Sequence, residues 1–197
     1  SNGSATAEPY LGRQELFGYT DSLDREGFAL HFHTLGDHAT RMALDAIERT
    51  RKQETPSHRR HTITHLVYPH PDDLARFGTL DVIANISPYW AFPNEWSASF
   101  PAVLGPERSA WMYPFRSLAE AGARLTAGSD YPFTPLNPFL AIEAGLSRRD
   151  PEGLVEGSLV AGESLGLEEL IAAYTIDAAY QLHQETVTGS IEPGKAA

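Results

Sequence analysis

Phe28-Ala29-Leu30-His31-Phe32-His33-Thr34-Leu35-Gly36-Asp37 reads as a strand that closes on a histidine and hands over to a helix. Two later stretches repeat this grammar. Arg60-His61-Thr62-Ile63-Thr64-His65-Leu66 is a second strand-like run ending near His65. Arg124-Leu125-Thr126-Ala127-Gly128-Ser129-Asp130-Tyr131-Pro132 is an apolar run that ends on a carboxylate. A helical stretch follows each. Metal-ligating residue types at the C-terminal ends of several strands are what a β/α barrel needs, because its reactive groups sit at that end.

The rest of the chain fits the same alternation. Residues 1–10 read as loop, and 13–26 as a helix with Leu16, Tyr19 and Leu23 on one face. The first strand is 28–33. A helix over 38–51 carries Ala39, Met42, Ala43, Ala46 and Ile47 at helical spacing. The second strand is 61–67. Pro71-Asp72-Asp73 opens a short helix, since proline is tolerated in a first turn and carboxylates suit its dipole. A third strand at 81–87 leads into a long loop from Pro88 to Pro106, then a helix over 107–121 and a fourth strand at 124–128. Asn137-Pro138 starts a helix to about 146, residues 150–164 form a polar insertion, and 167–183 form a last helix. No internal repeat interrupts the pattern, which favours an α/β fold with parallel strands.

The bulk composition excludes several function classes. The 197 residues can hold one domain with a real core, but fall short of the ~250 usual for a complete eight-fold barrel. A net charge of −11 argues against nucleic acid or an anionic membrane as partner. The absence of cysteine excludes disulfides, thiolate metal sites and a cysteine nucleophile. No apolar run approaches the roughly 18 residues of a membrane span. The expected compartment is the cytoplasm.

His33 and His65 lie 32 residues apart, a plausible length for one βα unit. Neutral imidazoles on adjacent parallel strands can converge on a divalent cation. The alternative for each is a buried histidine held by backbone groups. His31 shares the strand parity of His33, so both face one way. It forms either a chelating pair with His33 or a deeper packing contact. His38, His58, His61, His70 and His183 read as surface or supporting residues, and Asp37 as a helix cap. Asp130 can bind a hard metal edge or take a proton from an activated water; an Asx turn is the alternative. The long loop holds Tyr89, Trp90, Phe92, Trp96 and Phe100, an aromatic content that suits a built surface rather than a disordered one.

These motifs, in this order, resemble the amidohydrolase superfamily, and within it the amidohydrolase 3 (YtcJ-like) group that includes N-substituted formamide deformylases. Ser4-Ala5-Thr6-Ala7-Glu8-Pro9-Tyr10 resembles the segment after the family's fourth barrel strand. His33-Thr34-Leu35-Gly36-Asp37 resembles strand five and Arg60-His61-Thr62-Ile63-Thr64-His65 strand six. Asn85-Ile86-Ser87-Pro88 is similar to the end of strand seven, and Gly128-Ser129-Asp130-Tyr131-Pro132 with Asn137-Pro138 to strand eight. Thr188-Gly189-Ser190-Ile191-Glu192-Pro193-Gly194-Lys195 resembles the return into a small β domain.

The resemblance implies the C-terminal portion of a metal-dependent (β/α)8 TIM barrel, strands 5 to 8 with their helices. Residues 1–187 would be the partial barrel and 188–197 the truncated start of the small β domain. It implies His33, His65 and Asp130 as metal-binding residues, with Asp130 as general base. The metal would be zinc, or manganese, iron or cobalt. The implied reaction is hydrolysis of a non-peptide amide-type C–N bond in a small molecule. The aromatic content of the loop, rather than the resemblance, suggests that Trp90, Phe92 and Trp96, with His31 beside them, face the substrate; a hydrophobic lid contact is the alternative. The family's first-strand His-x-His pair and its fourth-strand bridging ligand match no position here. An N-terminal half-barrel, or a second copy of the chain, is therefore expected as partner. The competing expectations are an inactive barrel fragment that serves as an assembly subunit, and a barrel that binds metal or a small molecule without hydrolysis.

Overall fold

The computed structural model describes residues 9–53 and 59–196. His58 and the Ser4–Glu8 part of the Ser4–Tyr10 motif lie outside those residues. Four strands, β1 (His31–Gly36), β2 (Thr62–Tyr68), β3 (Ile83–Ile86) and β4 (Arg124–Ala127), form one sheet in sequential order. Every neighbouring pair is parallel. Parallel neighbours need crossover connections, and helices supply them here: α2 (Asp37–Arg51) joins β1 to β2, α3 (Pro71–Thr79) joins β2 to β3, and α4 (Glu95–Ser109) and α5 (Phe115–Glu120) lie between β3 and β4. α1 (Arg13–Arg25) precedes the sheet; α6 (Pro138–Ser147), α7 (Leu167–Tyr174) and α8 (Ile176–Gln181) follow it.

The two faces of the sheet differ in chemistry. Ile63 and Ala84 point into a core with Leu44 and Ile47 of α2, Phe77 of α3, and Phe115 and Leu118 of α5. The opposite face carries a polar row. The register aligns His33 with Thr64, Thr64 with Asn85, and Asn85 with Thr126. Thr64 Oγ1 donates to Asn85 Oδ1 at 2.7 Å, and Asn85 Nδ2 donates to Thr126 Oγ1 at 2.8 Å. Thr126 Oγ1 in turn donates to Gln181 Oε1 of α8 at 2.7 Å. Each polar group on this row finds a partner, which is what allows it to be buried.

Several elements differ from the expectations. The first strand begins at His31 rather than residue 28, because Gly27 (φ 100°) and the Phe28 N–H bond to Leu23 O finish α1. His33 is consequently mid-strand. The loop expected over 88–106 contains α4. Asn94 caps it by a reciprocal box, accepting from Ser97 N and donating its own N–H to Ser97 Oγ. Pro101 and Pro106 disguise this helix, which kinks at Gly105 (φ 78°). The helix expected over 107–121 is divided by a turn at Trp111–Pro114, where Tyr113 has φ 50°. The last helix breaks at Thr175 (φ −121°, ψ −93°) into α7 and α8. Among the described residues no helix is long and apolar enough to cross a membrane.

Candidate metal and substrate site

The pairing of β1 with β2 shifts by one residue between Thr34 and Gly36: Thr34 lies opposite His65, but Gly36 lies opposite Tyr68. β2 therefore carries one extra residue, a bulge at His65–Leu66, where both backbones are left-handed (φ 69° and 48°). In an unbroken ladder His65 would share the face of Thr34, which is buried on the helix side. The bulge turns its ring toward His33 instead. His33 Nδ1 and His65 Nε2 stand 3.1 Å apart, with ring centroids at 5.0 Å. His31 follows on the same face, its ring centroid 5.4 Å from that of His33. Burial lowers the pKa of His65, and the His33 charge lowers it further while Asp130 raises it. Burial also lowers that of His31, with His33 and His65 adding to the effect.

Asp130 lies just past the end of β4, itself in a left-handed conformation (φ 61°). Non-glycine residues held there are uncommon and cluster at functional sites. Trp90 Nε1 donates to Asp130 Oδ2 at 3.0 Å, which ties the carboxylate to the turn after β3. That turn, Ser87 to Ala91, is a short 3-10 segment beginning at Pro88.

Trp90 also lines a cavity of about 570 Å³, widely open to solvent, together with Tyr89, Phe92, Asn94, Glu95, Trp96 and Ser99. Trp90, Phe92 and Trp96, which the sequence suggests as substrate-facing, thus meet in one cavity. His31 is not among its lining residues; it belongs to the histidine patch.

The donor set suits a divalent cation in part. A tetrahedral zinc with Zn–N bonds near 2.05 Å places neighbouring nitrogens about 3.3 Å apart, close to the 3.1 Å between His33 and His65. Asp130 acts on the same His65. Among the described residues, however, no three His, Asp or Glu side chains converge tightly enough to enclose an ion. The structure brings the two imidazoles together and leaves Asp130 bonded to Trp90, near enough for its charge to raise the pKa of His65. Sequence reasoning missed the Trp90–Asp130 bond and the polar row through Asn85. Asn85 inside a strand-like run was the one available signal for the latter.

A parallel α/β sheet with such residues at one end defines a class, and the sequence places the chain within it. Residues 3–197 match the Amidohydrolase family, to which this chain belongs. It is 30% identical over 185 residues to Protein LONG AFTER FAR-RED 3 of Arabidopsis thaliana, covering 93% of this chain and 31% of that protein. It is 26% identical over 195 residues to the N-substituted formamide deformylase of Arthrobacter pascens, covering 95% and 34%. The structure resembles that of an uncharacterized metal-dependent hydrolase from Pyrococcus horikoshii, with a TM-score of 0.80 and 25% identity over 98% of this chain and 38% of that one. The chain spans about a third of each of these proteins' lengths.

Proposed function

We propose that this chain supplies strands five to eight of a metal-dependent (β/α)8 hydrolase that cleaves a non-peptide amide-type C–N bond. Residues 188–197 would start the return to a small β domain. The observation that carries this reading is the approach of His33 and His65 made by the β2 bulge, with the charge of Asp130 acting on His65. His33 and His65 would hold a divalent cation, zinc first, with Asp130 as the adjoining carboxylate. When bound, that cation supplies Lewis acidity, polarising the substrate carbonyl and making water more acidic.

The remaining chemistry falls to the chain's own groups. The Trp90 N–H fixes one oxygen of Asp130, which leaves the other free to accept a proton from the attacking water. The oxygen of that water joins the carbonyl carbon, the C–N bond breaks, and the proton passes from Asp130 to the departing amine. The products are a carboxylic acid and an amine, which at neutral pH ionise to a carboxylate and an ammonium, and no oxidant or reductant is required. Trp90, Phe92 and Trp96 would seat the part of the substrate remote from the bond, and His31 would border it from β1.

β1 and β4 are the outer strands of the sheet. Exposed strand edges invite pairing with another chain, and we expect an N-terminal half-barrel or a second copy to close them. One observation favours a second reading, an inactive fragment acting as an assembly subunit: no three-donor cluster forms among the described residues. The two readings separate on one experiment. The chain is loaded with zinc or manganese, alone and with an N-terminal half-barrel of the family, and assayed on a panel of N-substituted amides. Hydrolysis lost in Asp130→Ala supports the enzyme. A stable complex without hydrolysis supports the assembly subunit.

A further inference from the structure

The aromatic cavity has a charge character that hydrolysis of a simple amide does not call for. Four of its seven lining residues are aromatic, one is the carboxylate-bearing Glu95, and none is cationic. Tyr89 and Phe92 meet edge to face at 88°, so the two ring planes are set nearly at right angles. Glu95 is exposed at the first turn of α4 and pairs with no cation among the described residues. More carboxylates gather on the Tyr89 side: burial raises the pKa of its phenol, and the charges of Glu152 and Asp150 raise it further. Asp150 is committed to the backbone N–H groups of Glu152, Leu154 and Val155. Glu152 makes no ion pair among the described residues. Aromatic faces attract cations through their quadrupoles, and quaternary ammonium groups are recognised by cages of such rings. A neutral aryl group would gain from the rings but nothing from the carboxylates.

We infer that the cavity of Tyr89, Trp90, Phe92 and Trp96, with Glu95 at its side, binds an alkylammonium or quaternary ammonium group. This inference rests on the hydrolase reading for its place in a reaction, since Trp90 joins the cavity to Asp130 through its indole N–H. It specifies a substrate with a cationic end remote from the scissile C–N bond.

The test compares choline with 3,3-dimethyl-1-butanol, its neutral isostere, on the full chain without added metal. Binding is read by tryptophan fluorescence and by the indole N–H signals in NMR spectra. Choline is expected to bind roughly ten-fold more tightly than the alcohol, the preference a cation–π cage gives. Glu95→Gln should weaken choline about three-fold and leave the alcohol unchanged, because an exposed charge is partly screened. Trp96→Ala should remove most choline binding; Glu95→Gln keeps the test independent of any packing defect in that variant. Equal affinities for the two probes, or binding of neither, would overturn the inference. The hydrolase reading fails separately. Cation preference without hydrolysis of any amide sinks that reading alone, and hydrolysis without cation preference sinks only this inference.

Discussion

His33 Nδ1 lies 3.1 Å from His65 Nε2, although strand parity assigns the two residues to opposite faces of the sheet. One additional residue in β2 reconciles the two facts. It costs backbone strain, because His65 and Leu66 both adopt left-handed conformations that a β-branched residue tolerates poorly.

This strain can be measured. Asparagine accepts the left-handed region more readily than valine does. In urea unfolding, His65→Val is expected to be less stable than His65→Asn by roughly 1–2 kcal/mol. Equal stabilities would mean that the bulge relaxes in the variants and is not imposed by the surrounding fold.

The Trp90–Asp130 bond should affect turnover and not substrate capture. Trp90→Phe retains a ring in the cavity and removes only the N–H at Asp130. A hydrogen bond to a charged group contributes about 1.5–3 kcal/mol, so kcat should fall about ten-fold or more with little change in KM. Steady-state kinetics on the metal-loaded protein checks this. A raised KM with unchanged kcat would assign Trp90 to substrate seating alone.

Arg148 is fully buried and has no carboxylate within ion-pair distance among the described residues. Its guanidinium donates to the carbonyls of Leu159, Tyr113 and Met112 at 2.8, 3.2 and 3.3 Å. Burial brings its pKa down to about 10. The side chain pins the end of α6 to two loops. Arg148→Met would strand those carbonyls and should cost roughly 2–4 kcal/mol in chemical denaturation. A change below about 0.5 kcal/mol would mean that water replaces the guanidinium.

His61 makes stability depend on pH. Leu30 N donates to its Nδ1 at 3.0 Å, so its Nε2 carries the proton and donates to Asp24 at 2.9 Å. Burial is the main cause of its lowered pKa; Arg51 adds to it and Asp24 opposes it. The unfolded chain therefore takes up a proton more readily than the folded one. The associated stability is fully present above the unfolded value of about 6.5, and is lost as pH falls through the depressed folded value. Burial of His31 and His65 adds a contribution of the same sign. Stability should decline between about pH 7 and pH 5, and less steeply in His61→Gln. An identical slope in that variant would remove His61 from the account.

The alternation of strands and helices was legible because apolar periodicity reports which side of an element faces the core. Helices α2 and α6 fall within a residue or so of their expected bounds for this reason, and α3 starts at Pro71 as expected. α4 was hidden by Pro101 and Pro106, and by aromatic residues that suit a binding loop as well as a helix. His33, His65 and Asp130 stand out as candidates by residue type and position. The bulge that directs His65 could not, since it appears only when the β1–β2 register is known. Nothing in the sequence around Arg148 announces that its partners are carbonyls 11, 35 and 36 residues away.

The most direct test of the central claim is metal content per chain by plasma mass spectrometry, after loading with zinc and manganese. It should be made on the purified protein and on the His33→Ala/His65→Ala double variant. The account predicts near-stoichiometric metal in the parent and its loss in the variant. No metal in the parent, or equal metal in both, would contradict the assignment of His33 and His65 as the pair that holds the ion.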